Sequence, residues 1–174
     1  HKVYAPKGIG ALYVRSGVDV EPLIHGASQE SGRRAGTENV IMAVGLGKAA
    51  ELAAAHLSDP TIARLRDRLW AGLKKALADR IVLNGHETLR LSGTLNVSFL
   101  GYVGGELLAR VQEICASTGA ACHSGDAKPS AVLTAMGISR ERAIGAVRFS
   151  VGRPTTEAEI DRAITLIVDA ASRD

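Results

Sequence analysis

The stretch AVRFSVGRPTTEAEID, residues 146–161, reads as a strand followed by a capped helix. In AVRFSV (146–151) Arg148 alternates with apolar Val147 and Phe149, so its side chain leaves the strand on the opposite face from theirs. Thr156 with Glu159 three residues on is a capping box, which sets the start of a helix. The stripe Ile160, Ala163, Ile164, Ile167, Val168 and Ala171 gives that helix one buried face.

Working outward, the same alternation repeats. IVLNG (81–85) and TLNVSFL (94–100) read as strands, GGELLARVQE (104–113) as a helix, and ICAS (114–117) as a strand entering a small-residue loop, ASTGAACHSG (116–125). PSAVLTAMG (129–137) opens with proline and closes with glycine, a short capped helix. Upstream, Asp59 and Pro60 supply an N-cap and first-turn proline for a helix over 60–79, with Ile62, Leu65, Leu69, Leu73 and Leu77 along one face. Another helix runs on from Glu38, with Ile41, Val44, Gly45, Lys48, Ala49 and Leu52 as its stripe. GALYVR (10–15) has strand character. Residues 16–39, rich in Gly, Ser and charge, form a long loop, of the kind that is usually functional or disordered. Repeats and low-complexity segments are absent. Strands alternating with helices argue an α/β chain, with an α+β arrangement toward the C-terminus.

Composition bounds the function. The 174 residues are 46% apolar, enough for a folded core. Aromatics are only 3%, which provides poorly for stacking on bases and argues against single-stranded nucleic acid as a partner. The net charge of +3 is slight, and SGRRAG (31–36) concentrates it, so a small anion is the better expectation. No apolar run reaches the roughly 18 residues of a membrane span, and no signal peptide opens the chain. Two cysteines do not make a disulfide scaffold, and a reducing cytoplasm is the default expectation. HKVYAPKGIGALYV starts at full density without an initiator Met, where tails usually fray with polar residues, so the chain is expected to be a piece of something longer.

Three places invite chemistry. Cys122 sits among Gly119, Ser124 and Gly125, where an exposed, mobile backbone would leave a thiol reachable, and His123 beside it could lower the thiolate pKa. Cys115, inside an apolar run, fits instead the ordinary buried cysteine that behaves as a small hydrophobe. A zinc site is disfavoured because Cys115 and Cys122 are seven apart and the histidines do not repeat at ligand spacing; no metal is expected. His1-Lys2 by itself is a surface charge, given interest by the glycine-bearing turn that follows and by a position at a strand edge near a cleft. Arg148 suits a carboxylate, which arginine binds bidentately, although an ion-paired or solvated strand arginine explains it as simply.

The order of segments carries more than any one of them. HKVYAPKGIGALYVR, HGASQESGRRAGTENV, TLNVSF, STGAACHSG with PSAVLTAMG, and VRFSVGRPTTEAEID together resemble the cysteine desulfurases. These are pyridoxal-phosphate enzymes of the class V aminotransferase group, with selenocysteine lyases as close relatives. The resemblance implies that Lys2 matches the lysine that links covalently to the cofactor and then moves the substrate α-proton. His1 matches a histidine that helps hold the cofactor phosphate. Thr37 matches a threonine that reaches the phosphate of the neighbouring subunit's cofactor, which implies a homodimer. Arg148 matches the arginine that binds the substrate α-carboxylate. Cys122 matches the loop cysteine that takes the sulfur as a persulfide and delivers it to an acceptor protein, as in iron-sulfur cluster assembly.

The resemblance also sets expectations for the whole chain. The fold would be the tail of a large pyridoxal-phosphate-binding domain of fold type I, residues 1–56, plus a small α+β C-terminal domain, residues 57–174, carrying the cysteine loop. The family's upstream half of the large domain is not in this sequence, so the chain alone is expected to bind the cofactor poorly and to be nearly inactive, working with a separate chain that bears that half or being a piece of a longer enzyme. ASTGAACHS departs from the commoner SSGSACTS; His123 is similar to selenocysteine lyases and to some bacterial desulfurases, so the sulfur or selenium preference stays open. Other readings are a docking module for a sulfur acceptor and a thiol redox protein using Cys115 and Cys122.

Overall fold

The computed structural model describes residues 1–118 and 128–172. Two compact units divide the chain, His1–Asp59 and Pro60–Asp174.

In the second unit, helix α2 (Thr61–Leu77) and helix α6 (Glu157–Ala170) lie against one face of a three-stranded antiparallel sheet. Its strands are β1 (Ile81–Leu83), β2 (Thr94–Phe99) and β3 (Ala146–Ser150), in that order across the sheet. The expected leucine stripe is what α2 buries: Leu65, Leu69, Leu73 and Leu77 meet Leu95, Val97 and Phe99 of β2, Val147 and Phe149 of β3, and Ile160 and Ile167 of α6. A bidentate pair, Arg68 to Asp161 at 2.7 and 2.8 Å, ties α2 to α6 at the surface. The capping box forms as expected, with Glu159 accepting from the Thr156 N–H at 2.7 Å and Thr156 Oγ1 accepting from the Glu159 N–H at 3.3 Å. Asp59 does not cap α2; Pro60 takes the N-cap position and offers no side-chain acceptor.

Among the described residues, the sheet's second face is covered at one end, by the short helices α4 (Ala131–Ala135) and α5 (Arg140–Ile144). The short helix α3 (Gly104–Ala109) instead gives Leu107 to the main core. Leu133 and Ala143 from α4 and α5 pack on Ala146, and Ser98 beside it is fully buried. Gly145 permits this closeness: a Cβ there would overlap the Phe99 carbonyl. The helix expected over 104–113 stops at Ala109. The α5 turn is absent from the sequence reading, although Ser139 caps it through the Arg142 N–H.

The strand expected at 114–117 does not form as one. Only Ser117 pairs, in an isolated antiparallel bridge to Arg148. Cys115 is exposed rather than buried, and among the described residues no strand ladder includes it.

The first unit is mostly loop. Helix α1 (Val40–Ala55) starts at Asn39, whose side chain accepts from the Met42 N–H at 3.2 Å. Its apolar stripe is not covered among the described residues: Ile41 and Val44 are exposed, and Ala49 is the buried residue of the helix. The sequence VIMAVGLGKAAELAAA carries apolar residues on every side, a composition that suits a helix packed all round. GALYVR (10–15) is not a strand, and Leu12 and Tyr13 are 77% and 87% exposed. A strand exists by pairing its backbone groups, and no described segment pairs with this one. A single 3-10 turn, Gln29–Gly32, interrupts the long loop over 16–39.

Candidate active site

In the sheet, alternation fixes where Arg148 points. Val147 and Phe149 enter the core, and Arg148 between them is exposed on the face away from α2 and α6. Its guanidinium has no hydrogen bond or ion pair among the described residues, so the ion-paired reading does not hold within them. On the outer side of β3, the Ser117 N–H donates to the Arg148 carbonyl at 3.1 Å and the Arg148 N–H to the Ser117 carbonyl at 2.6 Å. The segment that leads to Cys122 is thereby anchored on the arginine. Cys122 and His123 themselves lie outside the described residues.

On the inner side the partner of Arg148 is Asn96, and the partner of Asn96 on β1's side is Asn84, whose N–H donates to the Asn96 carbonyl at 2.9 Å. Residues directly opposite across antiparallel strands share a face. Asn84, Asn96, Arg148 and Ser117 thus form one row across the sheet. Burial falls along the row: Asn84 is 4% exposed, Asn96 is half-buried and Arg148 is open. Arg142 of α5 closes the buried end, its Nη2 meeting Asn84 Oδ1 at 2.7 Å. Its Nε is buried without a partner among the described residues. Asn84, Asn96 and Arg142 stand outside the motifs that single out Lys2, Thr37, Cys122 and Arg148 in the sequence. The period-two pattern of TLNVSF, with Asn96 between Leu95 and Val97, was the signal that could have found Asn96.

A groove of about 580 Å³ lined by Cys115, Phe149, Ile160 and Arg162 opens on the core-facing side of β3. Arg148 is not part of its lining.

The first unit holds the other candidates. The Tyr4 N–H donates to the His1 carbonyl at 3.0 Å, closing a tight turn with Lys2 exposed in it. Lys2 thus sits in a turn, not at the expected strand edge. Tyr4 adopts the left-handed region at φ 63°, which costs a non-glycine residue energy and is met at functional sites. Thr37 is exposed two residues before the α1 N-cap, Asn39. Its loop is held by the Ala35 N–H on the Ile24 carbonyl at 3.2 Å and the Gly36 N–H on Gln29 Oε1 at 3.0 Å. The first turn of α1 carries no acidic residue, so its positive dipole end is not neutralised from within. His1 and Lys2 share a turn, Thr37 stands at a helix start, and Arg148 belongs to the second unit.

No described helix is long and apolar enough to cross a membrane. Among the described residues no group of three or more His, Cys, Asp or Glu could hold a metal ion.

Similar proteins give these features a context. Cysteine desulfurase 2 of Trichormus variabilis is 51% identical over 176 residues, 99% of this chain and 44% of its own length. Cysteine desulfurase IscS of Methanosarcina thermophila is 47% identical over 178 residues, covering 99% of this chain and 43% of that one. The solved structure of a NifS-like protein matches with a TM-score of 0.86 at 35% identity, over 99% of this chain and 44% of that one. The chain thus spans less than half the length of the relatives it matches. The small antiparallel sheet and its two covering helices are those of a NifS-like protein of the pyridoxal-phosphate fold type I. The aminotransferase class-V pattern runs through both units, over residues 1–163, and the chain belongs to the aminotransferase class-V family.

Proposed function

We propose that this chain is the C-terminal part of a pyridoxal-phosphate-dependent cysteine desulfurase. Residues 1–56 would complete a large cofactor domain, and residues 57–174 would form the small domain that carries the cysteine. The observation that carries this reading is the double hydrogen bond between Ser117 and Arg148. It joins the approach to Cys122 to the strand position of a carboxylate-binding arginine. Cys122 is five residues beyond Ser117, and five residues of chain span at most about 18 Å.

The donor set fits the cofactor's chemistry. An aldehyde needs a primary amine, and Lys2 offers an exposed one. A phosphate needs donors and positive potential; His1 supplies an imidazole, and Thr37 a hydroxyl near the start of α1, whose first turn carries no acidic residue. When bound, pyridoxal phosphate supplies an electron sink for the substrate α-carbon. Lys2 moves the proton at that carbon as general base and acid. Arg148 orients the substrate through its α-carboxylate. The Cys122 thiolate attacks the substrate sulfur; an S–S bond forms as the C–S bond breaks, and the departing carbon takes up a proton. Cysteine and one thiol become alanine and one persulfide, with atoms and electrons in balance. A sulfur-acceptor protein then takes the sulfur. Thr37 serving a neighbouring subunit's phosphate makes the working form a homodimer, and the thiol chemistry suits a reducing cytoplasm. The relatives' names favour cysteine over selenocysteine as substrate.

The test is reconstitution with the upstream half of the large domain, pyridoxal phosphate and L-cysteine, with alanine and protein persulfide measured together. Borohydride reduction should fix the cofactor to Lys2. Cys122→Ser should abolish persulfide while Cys115→Ser keeps it. Full sulfur transfer by the Cys122→Ser protein would refute the assignment.

A further inference from the structure

Arginine only donates hydrogen bonds. Arg142 places Nη2 at 2.8 Å from the Leu83 carbonyl and 2.7 Å from the side chain of Asn84. The Asn84 atom facing it must therefore be Oδ1, since the reverse orientation would set two donors against each other at a buried site. With Oδ1 so engaged, Asn84 Nδ2 donates to Asn96 Oδ1 at 2.7 Å and to Ser98 Oγ at 2.8 Å. The same logic then passes one strand further. Asn96 must meet Asn84 with its oxygen, so its Nδ2, with two N–H donors, turns away from β1.

On that other side stands Arg148. The pairing geometry makes the two residues close neighbours. Arg148 spends its own N–H and carbonyl on Ser117, at the outer edge of β3. Toward β2 it therefore forms a non-hydrogen-bonded pair with Asn96. In such pairs the α-carbons approach to about 4.5 Å and the side chains stand closest. Asn96 Nδ2 and the Arg148 guanidinium are both donors and cannot satisfy one another. Neither makes a hydrogen bond among the described residues. Two unspent donor groups side by side, one cationic, form a receptor for a carboxylate, whose two oxygens offer about four acceptor sites.

We propose that Asn96 is a second carboxylate-binding residue, holding the substrate α-carboxylate together with Arg148, and that Arg142 and Asn84 set the orientation of its amide. This rests on Arg148 being the carboxylate arginine. The arrangement adds discrimination: an amine thiol without a carboxylate leaves both donors unused.

Steady-state alanine formation from L-cysteine by the complete, cofactor-loaded enzyme tests it. Asn96→Ala should raise KM about tenfold, the loss of one hydrogen bond to a charged group, with kcat within about twofold. Asn96→Asp keeps the shape and the acceptor for Asn84 but faces the substrate with a negative oxygen, so KM should rise further still. Inhibition by cysteamine, which lacks the carboxylate, should be unchanged in both variants. Arg148→Gln serves as the reference. If Arg148→Gln leaves KM unchanged, the arginine reading fails and the paired site fails with it. If Arg148→Gln raises KM while both Asn96 variants leave it within twofold, the Asn96 inference alone is overturned. Equal losses for L-cysteine and cysteamine in the Asn96 variants overturn it as well, since they mark general damage to the site.

Discussion

Ser117 and Arg148 exchange both of their backbone hydrogen bonds, at 3.1 and 2.6 Å. Neither bond lies within a regular strand ladder; it is a single bridge at the outer edge of β3. One peptide contact thus fixes the position of the segment that runs on toward Cys122 relative to the sheet that presents the arginine.

Ser117→Pro tests that contact. Proline removes the N–H that reaches the Arg148 carbonyl, and the lost bond should cost about 1–3 kcal/mol of stability. The larger effect should fall on chemistry. In the complete enzyme, single-turnover persulfide formation should slow about tenfold or more, with L-cysteine binding retained. Transfer at the wild-type rate in a Ser117→Pro protein would show that the bridge does not position the cysteine segment.

The frame of the second unit, α2, β2, β3 and α6, was legible in the sequence because its pattern is closed within itself. The leucines of α2, the alternation in TLNVSF and AVRFSV, and the Thr156–Glu159 box each specify one element, and the elements bury one another. The first unit was not. GALYVR has strand composition, but composition cannot supply a pairing partner, and Leu12 and Tyr13 stand in the open. Val40–Ala55 was readable as a helix, yet its Ile41 and Val44 stripe has nothing on it among the described residues. Lys2, Thr37, Arg148 and Cys122 were visible as a set only through family order. Asn96 was overlooked because a lone asparagine in a strand has no motif; its meaning comes from Asn84, twelve residues before it, and Arg142, donated from a helix 58 residues beyond Asn84.

Cys115 offers a direct chemical check. Its sequence context reads as buried, but the structure exposes it. A water-soluble maleimide should label Cys115 in the folded chain without denaturant. A Cys122→Ser background isolates its signal. Labelling that needs denaturant would restore the buried reading.

Amide exchange should separate the two units. Among the described residues of the first, only Ala5, Ala35 and Ala49 are buried apolar groups, whereas Leu73, Val97 and Val147 of the second are 0% exposed. Opening free energy follows buried apolar contact. The amides of Val97 and Val147 should therefore exchange slowest, and those at the centre of α1, around Val44, at least a hundredfold faster. Equal protection of α1 and β2 would show that α1 is covered in solution.

Acid stability should follow the two carboxylates at the start of α6. Glu159 is held below the ordinary carboxylate range chiefly by the Thr156 backbone N–H, and Asp161 by its hydrogen bonds from Arg68. Both groups have a lower pKa folded than unfolded, so their contribution is complete above the ordinary carboxylate range. It fades as pH falls through the depressed folded values. The urea midpoint should be flat near neutrality and drop below about pH 4.5. Glu159→Gln keeps an acceptor for the Thr156 N–H but removes the titration, so its acid slope should be shallower. Thr156→Ala removes the reciprocal cap and should cost about 1 kcal/mol at neutral pH. Because Glu159 then loses the Thr156 hydroxyl but keeps the backbone N–H, that variant should retain part of the acid slope. An unchanged slope in Glu159→Gln would assign the acid sensitivity to other carboxylates, Asp161 first among them.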